Sequence, residues 1–187
     1  MAKHIYLIRH GETYFNSIGK IQGWCDSPLS EKGIAQAKRA RQMIIDKGIE
    51  FDAAYSSTQG RAMDTLEIIS GGKINYKRRK DLREMGFGRF EGEARAIMPK
   101  VYGDFFVQFG GESVDQVTDR MNRVMREIAQ TDSENILVVS HGRTIKFFTQ
   151  YWQEHSEIPE IENVPNCSIL KYHFDNEQFK LLKHIIH

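Results

Sequence analysis

Short, nearly continuous apolar runs along the chain predict β-strands. Lys3–Arg9 (KHIYLIR) and Asn135–Ser140 (NILVVS) are the clearest of them, because strands that are buried on both faces read as unbroken apolar runs. Four weaker runs indicate further strands, the last two around an Asp175-Asn176 turn, and they cover Phe51–Ser56, Ile74–Lys77, Ser168–Phe174 and Phe179–Ile185.

The segments between these runs have helical periodicity. Ser30 is predicted to cap a helix that ends near Gly48, and its apolar positions at helical spacing are Ile34, Ala37, Ala40, Ile44 and Ile45. Three more helices are predicted, and they cover Arg61–Ile69, the segment from the Ser113 cap to about Ala129, and the segment from Gly142 to about Trp152. The glycine-rich stretch from Arg83 to Gly92 is predicted to be a loop.

This alternation of strands and helices predicts an α/β fold. We expect three layers, with a mostly parallel sheet that is flanked by helices on both faces. We expect a single domain over residues 1–187, with a small helical cap around residues 91–112. Ligands of such folds bind at the carboxyl ends of the strands, and both of the clearest strands end there in the same dipeptide, His10-Gly11 and His141-Gly142.

Composition and charge narrow the classes of partner and location. The 26 basic and 25 acidic residues give a formal net charge of +1, so no global field favours nucleic acid or an anionic membrane. The sequence lacks a signal-peptide pattern and a long apolar span, which makes the cytoplasm the expected location. Cys25 and Cys167 lack zinc-like spacing, and we expect no metal and no cofactor. The sequence does not determine the oligomeric state, and a homodimer is one of the open alternatives.

Four nitrogen-bearing side chains are expected near the carboxyl edge of the sheet. Arg9 and His10 follow the first strand, Arg61 opens the helix after the second, and His141 follows the Asn135–Ser140 strand. A guanidinium group can donate hydrogen bonds to two phosphate oxygens at once, and helix N-termini add backbone donors. A neutral imidazole is also a competent nucleophile toward phosphorus. The predicted glycine-rich loop supplies one acid, Glu84, as a candidate general acid and base.

Several motifs in order resemble those of the histidine phosphatase superfamily, the phosphoglycerate-mutase-like proteins. They are LIRHGET with Asn16 downstream, LSEKG, SSTQGRAMDT, LREMGFGRFEG, GGES and VVSHG. The resemblance runs from about Tyr6 to Lys146, which is most of the chain, and the ordered set is far more specific than any one motif.

The resemblance implies a role for each matching residue. It makes His10 the phosphorylated nucleophile and Glu84 the acid. It makes Arg9, Arg61 and His141 the clamp on the phosphoryl group. Asn16 and Gly142 are implied as further contacts to a small phosphorylated substrate.

Within the superfamily, the stretch around Glu84 resembles the phosphatase branch. Phe90-Glu91-Gly92 follows that acid, where cofactor-dependent mutases carry a Glu-Arg-His-Tyr-Gly type of sequence and have a longer chain. We therefore expect a metal-independent phosphomonoester hydrolase that acts through a phosphohistidine. Two alternatives stay open: a phosphoglycerate mutase, and a non-catalytic phosphate-binding relative.

Three features are interpreted less directly. Arg143 stands where many relatives have a small or amide residue, which suggests a preference for acidic substrates. Phe105, Phe106 and Phe109, with Tyr102 and Met98, either line the substrate mouth or pack a short cap onto the sheet. The basic run Lys77–Lys80 is predicted to be a solvated turn.

Overall fold

The computed structural model describes residues 3–99 and 103–186 of the chain. It contains six strands in one sheet: β1 Lys3–Arg9, β2 Ala53–Ser57, β3 Lys77–Arg79, β4 Asn135–Ser140, β5 Ile169–Asp175 and β6 Gln178–Ile185. Five α-helices accompany them: α1 Tyr14–Ser17, α2 Glu31–Asp46, α3 Gly60–Ser70, α4 Val114–Ala129 and α5 Gly142–Tyr151. The fold is α/β, as the sequence predicts.

The sheet is mostly parallel and has the strand order β3-β2-β4-β1-β5-β6. The pairs β1/β4, β2/β4 and β2/β3 are parallel, and β5 and β6 add an antiparallel edge. The turn predicted at Asp175-Asn176 lies one residue later, at Asn176 and Glu177, which both have positive φ angles, as tight hairpin turns require. The parallel strands β1, β2 and β4 place their carboxyl ends at one edge of the sheet.

Alternating side chains of β1 enter two different cores, because successive strand residues point to opposite faces. Ile5 and Leu7 pack in the cluster that contains the buried face of α4, whereas Tyr6 and Ile8 pack in the cluster that contains α2 and α3. Helices therefore cover both faces of the sheet, and the three-layer prediction is confirmed.

The predicted caps of α2 and α4 are present. Ser30 accepts a hydrogen bond from Gly33 N, and Ser113 forms a capping box with Gln116. On α2 the predicted apolar stripe is partly wrong, since Ile34 and Ile45 are 37% and 55% exposed. The buried face runs instead through Gly33, Ala37, Ala40 and Ile44.

Strand β3 corrects two predictions. The strand covers Lys77–Arg79 rather than Ile74–Lys77, so most of the basic run is strand and not a turn. Its backbone pairs with Tyr55–Ser57 of β2 at the edge of the sheet, where charged side chains are tolerated because one face and one edge reach solvent. Ile74 and Tyr76 pack against the core just before the strand begins.

The segment expected to form a helical cap contains the short 3-10 turns Arg95–Ile97 and Val107–Phe109. The predicted cap over residues 91–112 stays a prediction. Of the helices within residues 3–99 and 103–186, none has the length and apolar character needed to cross a bilayer.

Candidate active site

His10 and His141 lie side by side because their strands are paired in register. Arg9 at the end of β1 pairs with Ser140 at the end of β4, and His10 N donates to Ser140 O at 3.0 Å. His10 and His141 directly follow this pair, so they lie next to each other at the same edge of the sheet. The two imidazole centroids are 5.1 Å apart, as the repeated His-Gly dipeptide predicts.

The His10 ring is buried and held in one tautomer. Its Nδ1 is 2.7 Å from Gly11 O, and since a carbonyl only accepts, Nδ1 carries the proton. The lone pair is then on Nε2. The loop is fixed by Asn166 Nδ2, which donates to His10 O at 2.9 Å, and by Gly11 N, which donates to Thr65 Oγ1 at 3.0 Å. Burial, then the charge of Arg61, holds the pKa of His10 well below its usual value.

Arg61 connects the two histidines to a neighbouring loop. Its Nε lies 3.3 Å from Nε2 of His10 and 3.2 Å from Nδ1 of His141, so one N–H is shared between two acceptors. The rest of the fully buried guanidinium donates to Gly23 O at 2.8 Å, Cys25 O at 2.9 Å and Asp26 Oδ1 at 2.9 Å. The first turn of α3 thus places a positive charge at the site, and hydrogen bonds to three residues of the neighbouring loop fix its position.

His141 presents its second nitrogen as a donor. Because Nδ1 accepts from Arg61, the proton of the neutral ring lies on Nε2. Burial, with the nearby Arg61 charge next in size, lowers the pKa of His141 far below its usual value and keeps the ring neutral. Nε2 is buried and has no hydrogen-bond partner within residues 3–99 and 103–186. A buried donor without an acceptor is costly, so this N–H suits an anionic ligand.

Arg9 is the second guanidinium at the site. Its Nη1 donates to Val164 O at 2.6 Å, while its buried Nε has no partner in the described part of the chain. Burial lowers the pKa of Arg9 to about 10, against an opposing effect of the Glu84 carboxylate. Gly142 leaves the necessary space, because a Cβ there would be 3.2 Å from Arg9 Nε and 3.3 Å from its Cζ.

The Glu84 carboxylate binds the first turn of α5. Oε1 accepts from Met85 N at 2.9 Å, from Thr144 N at 3.0 Å and from the Thr144 hydroxyl at 3.1 Å, and Oε2 accepts from Arg143 N at 3.1 Å. All four partners donate, and together they fix the orientation of the Glu84 side chain at the start of the helix. The acid on the glycine-rich loop is thereby tied to the helix that follows His141.

A second carboxylate, Glu91, organises the loop that holds Arg61. Its two oxygens accept from Gly23 N at 3.0 Å, Trp24 N at 2.8 Å, Cys25 N at 3.0 Å and Phe87 N at 3.0 Å. The carbonyls of the same loop bind the Arg61 guanidinium. In the sequence Glu91 is only part of a family signature, and no local pattern indicates these backbone partners.

A cavity of about 270 Å³ opens beside the site and is lined by Arg9, Glu84 and Gly142. Other side chains that the sequence did not single out as site residues also line it: Ile21, Gln22, Phe87, Arg95, Lys146, Glu162, Asn163 and Val164. Only Lys146 has a usable sequence signal, because it lies four residues after Gly142 and therefore on the same face of α5.

Asn16 takes part in a helix cap. Its Oδ1 accepts from Thr13 N at 3.3 Å and completes the capping box of α1. Its expected contact with substrate stays a prediction. Arg143 does line the cavity. Within residues 3–99 and 103–186, no three His, Cys, Asp or Glu side chains are grouped in a way that would hold a metal ion.

The aromatic cluster packs on itself. Phe106 is fully buried, with its ring centroid 5.0 Å from that of Phe87, and the rings of Phe105 and Phe109 lie 5.6 and 5.1 Å from Phe90. The cavity lining that the structure describes includes Met98 and none of the three sequence-predicted phenylalanines. Tyr102 lies outside the described residues.

The chain is similar to known proteins over nearly its whole length. Residues 5–186 match the model of the histidine phosphatase superfamily (branch 1). Phosphoglycerate mutase-like protein 4 of Arabidopsis thaliana is 32% identical over an alignment with a length of 192 residues, and the match covers 95% of this chain and 82% of the plant protein.

Two solved structures are also similar. Phosphoglycerate mutase from Bacillus anthracis str. Sterne superimposes with a TM-score of 0.85 at 26% identity, covering 98% of this chain and 92% of that one. Phosphoserine phosphatase from Entamoeba histolytica, in complex with 3-phosphoglyceric acid, has a TM-score of 0.79 at 28% identity, with 99% and 98% coverage. The similar proteins carry both mutase and phosphatase names.

Proposed function

The chain belongs to the histidine phosphatase superfamily, branch 1, and from this premise we propose that it hydrolyses phosphomonoesters through a phosphohistidine at His10. One observation carries the proposal. The Nδ1 proton of His10 is engaged by Gly11 O, so the unprotonated Nε2 lies against the guanidinium Nε of Arg61. A nucleophile and a phosphate-binding cation are thus in contact.

His10 is prepared to attack without a separate base. Burial and the neighbouring guanidinium groups keep its pKa low, so the ring is neutral and nucleophilic at neutral pH. In the proposed first step, Nε2 bonds to phosphorus and the bond from phosphorus to the ester oxygen breaks.

The positive groups around His10 are proposed to stabilise the transferring phosphoryl group. Charge in this reaction accumulates on the equatorial phosphoryl oxygens, and fixed donors aimed at them supply most of the catalysis. The Nε–H of Arg9 and the Nε2–H of His141 are such donors, and neither has an acceptor in the described chain. Arg61, whose Nε–H is shared by the two histidine rings, adds its fixed positive charge. We also assign contacts to Gly142 and Asn16.

Glu84 is proposed to handle the protons. It lines the cavity beside Arg9 and Gly142, and as a general acid it would give the leaving ester oxygen its proton. In the second step the Glu84 carboxylate takes a proton from water while the water oxygen attacks the phosphohistidine. The phosphorus–nitrogen bond breaks, free phosphate is released, and His10 returns to its starting form.

A phosphoglycerate mutase is the second candidate, because similar proteins carry that name. A mutase returns the phosphoryl group to a bound hydroxyl rather than to water. The two reactions therefore share His10 and differ in their product.

The test measures both products from a panel of phosphomonoesters that includes 3-phosphoglycerate, in excess chelator. The proposal expects free phosphate from the wild type and none from His10→Ala. Isomerised phosphoglycerate without net phosphate release would favour the mutase. Tight binding of substrate without any product would indicate a binding protein and overturn the proposal.

A further inference from the structure

Gln59 is a buried polar side chain that the proposed mechanism does not use. It is the N-cap residue of α3, shortly before Arg61, and only 5% of it is exposed. Its side chain does not cap the helix. An amide has a donor and an acceptor, and burying both is costly unless each has a partner. The partners of the Gln59 amide therefore indicate its role.

The Gln59 amide joins two loops of the site. Its Oε1 accepts from Glu84 N at 3.0 Å, and its Nε2 donates to Gly23 O. The oxygen faces an N–H group and the nitrogen faces a carbonyl, so only this orientation of the amide satisfies both partners. The hydroxyl of Ser57, at the end of β2, also donates to Oε1 at 3.4 Å. The side chain is therefore fixed between the two loops.

The carbonyl of Gly23 also binds the guanidinium that is proposed to hold the phosphoryl group. Arg61 Nη2 donates to Gly23 O at 2.8 Å, so Gln59 and Arg61 share one acceptor. One amide and one carbonyl thus connect the backbone of Glu84, the proposed general acid, to Arg61.

The carbonyl side of Glu84 is held by two other residues. Glu84 O accepts from Trp24 Nε1 at 3.1 Å and from Arg120 Nη2 at 3.1 Å. Trp24 directly follows Gly23 in the chain, so this loop contacts Glu84 directly as well as through Gln59. The Trp24 ring is therefore placed to report a shift of the Glu84 backbone.

We infer that Gln59 is a positioning residue that fixes the Glu84 acid relative to the Arg61 guanidinium across the reacting phosphoryl group. The inference rests on the proposed function, in which Glu84 protonates the leaving oxygen. That transfer requires the acid to be within hydrogen-bond reach of the oxygen while Arg61 holds the phosphoryl group. In the described part of the chain Gln59 is not among the residues that line the cavity, so it acts through Glu84 and not on the substrate.

Loss of the amide should impair proton transfer to the leaving oxygen. Gln59→Met keeps an unbranched side chain of similar length, but it can neither accept from Glu84 N nor donate to Gly23 O. A misplacement of about 1 Å costs up to about a hundredfold in rate. A smaller displacement of Glu84 should therefore cost at least about tenfold wherever the reaction needs its proton.

The experiment compares two substrates that differ in their need for a general acid. Glycerol 3-phosphate releases an alkoxide that must be protonated, whereas 2,4-dinitrophenyl phosphate releases a stable phenolate that needs no proton. The quantity compared is kcat/KM, because it covers the steps up to release of the leaving group and excludes the later attack of water. We expect Gln59→Met to lower kcat/KM at least about tenfold for glycerol 3-phosphate and less than about threefold for the aryl ester. Equal falls for both substrates, or no fall for either, would overturn the inference.

Three further variants make the comparison decisive. Glu84→Gln removes the acid itself and should show the same selectivity with a larger fall. Gln42→Met makes the same chemical change on the exposed side of α2 and should leave both kcat/KM values unchanged. Gln59→Glu keeps the acceptor for Glu84 N, but at pH 8 its ionised carboxylate cannot donate to Gly23 O. We expect a smaller selective fall in Gln59→Glu, which decides the question if Gln59→Met does not fold, and an unchanged substrate ratio there would contradict the inference.

The inference and the proposed function fail in different ways. If the wild type releases phosphate from neither ester, the function fails, and the role of Gln59 is tested by fluorine NMR of protein labelled with 5-fluorotryptophan. The chain has two tryptophans, Trp24 and Trp152, and Trp24→Phe assigns their signals. We expect Gln59→Met to shift the Trp24 signal, because Trp24 Nε1 is hydrogen-bonded to Glu84 O. The Trp152 signal should not shift, since its Nε1 donates to Asn122 in a different core. An unshifted Trp24 signal would show that Gln59 does not position Glu84.

Discussion

Glu91→Gln is expected to damage both stability and catalysis, although Glu91 is not assigned any contact with substrate. The carboxylate accepts four backbone N–H groups, two on each oxygen. The amide of glutamine keeps one accepting oxygen and turns an NH2 group toward the other two donors. Two hydrogen bonds to a charged group are therefore lost, and each contributes about 1.5 kcal/mol at the low end of its range.

The resulting loss is about 3 kcal/mol in the free energy of unfolding. With a slope of about 2 kcal/mol per M, the urea midpoint should fall by about 1.5 M. The catalytic effect follows from the same loop, because Gly23 O and Cys25 O hold the Arg61 guanidinium. A shift of 1 Å in such a group costs up to about a hundredfold in rate, so we expect kcat to fall at least about tenfold in folded protein.

The assay combines urea unfolding, followed by circular dichroism, with steady-state phosphate release well below the unfolding temperature. Glu93→Gln is the matched control, since Glu93 is exposed and its side chain has no partner among the described residues. If Glu91→Gln leaves both the urea midpoint and kcat at the values of Glu93→Gln, Glu91 does not organise the Arg61 loop.

Three further predictions follow from the site. Gly142→Ala should raise KM several-fold with little change in the urea midpoint, because its Cβ would stand 3.2 Å from Arg9 Nε; an unchanged KM would show that the guanidinium is free to move. Asp26→Asn should lower kcat/KM about tenfold, since the charge that orients Arg61 at 2.9 Å is lost, and steady-state kinetics with a circular dichroism check decide this. Burial first, and then Arg61, holds the pKa of His10 below 6.5 in the folded protein, so below about pH 6.5 the unfolded chain binds the extra proton. The free energy of unfolding should therefore decrease as the pH is lowered below about 6.5, by up to about 1.4 kcal/mol per pH unit for this group. Urea unfolding at pH 7 and pH 5.5 should show a smaller fall for His10→Gln than for the wild type, and equal falls would contradict the assignment.

The central pair of histidines was predictable because strand topology and sequence agree. The two clearest apolar runs became neighbouring parallel strands, and residues that follow such strands meet at one sheet edge. Arg61 was predictable for a related reason, since it opens the helix after β2, which pairs with β4. At these positions the end of a strand, together with the parallel pairing of the strands, determines where a side chain lies.

The rest of the cavity was not predictable, because it depends on the path of the loops. Arg95 lines it beside a backbone hydrogen bond to Gly19, 76 residues earlier in the chain (95 − 19), and Val164 contacts Arg9 through its backbone carbonyl. Neither of these two long-range hydrogen bonds produces a periodic pattern in the sequence. Strand β3 shows the same limit, because its backbone pairing begins at Lys77, one residue after Tyr76 (77 − 76) and three after Ile74 (77 − 74).

The phosphohistidine mechanism is tested most directly by rapid quenching of the wild-type enzyme with a radiolabelled phosphomonoester, followed by peptide mapping of the label. The mechanism predicts an acid-labile, base-stable phosphoryl group on the peptide that contains His10. The label should appear before free phosphate and be absent in His10→Ala. Phosphate release without any labelled protein, or a label that persists in His10→Ala, would exclude His10 as the phosphorylated nucleophile.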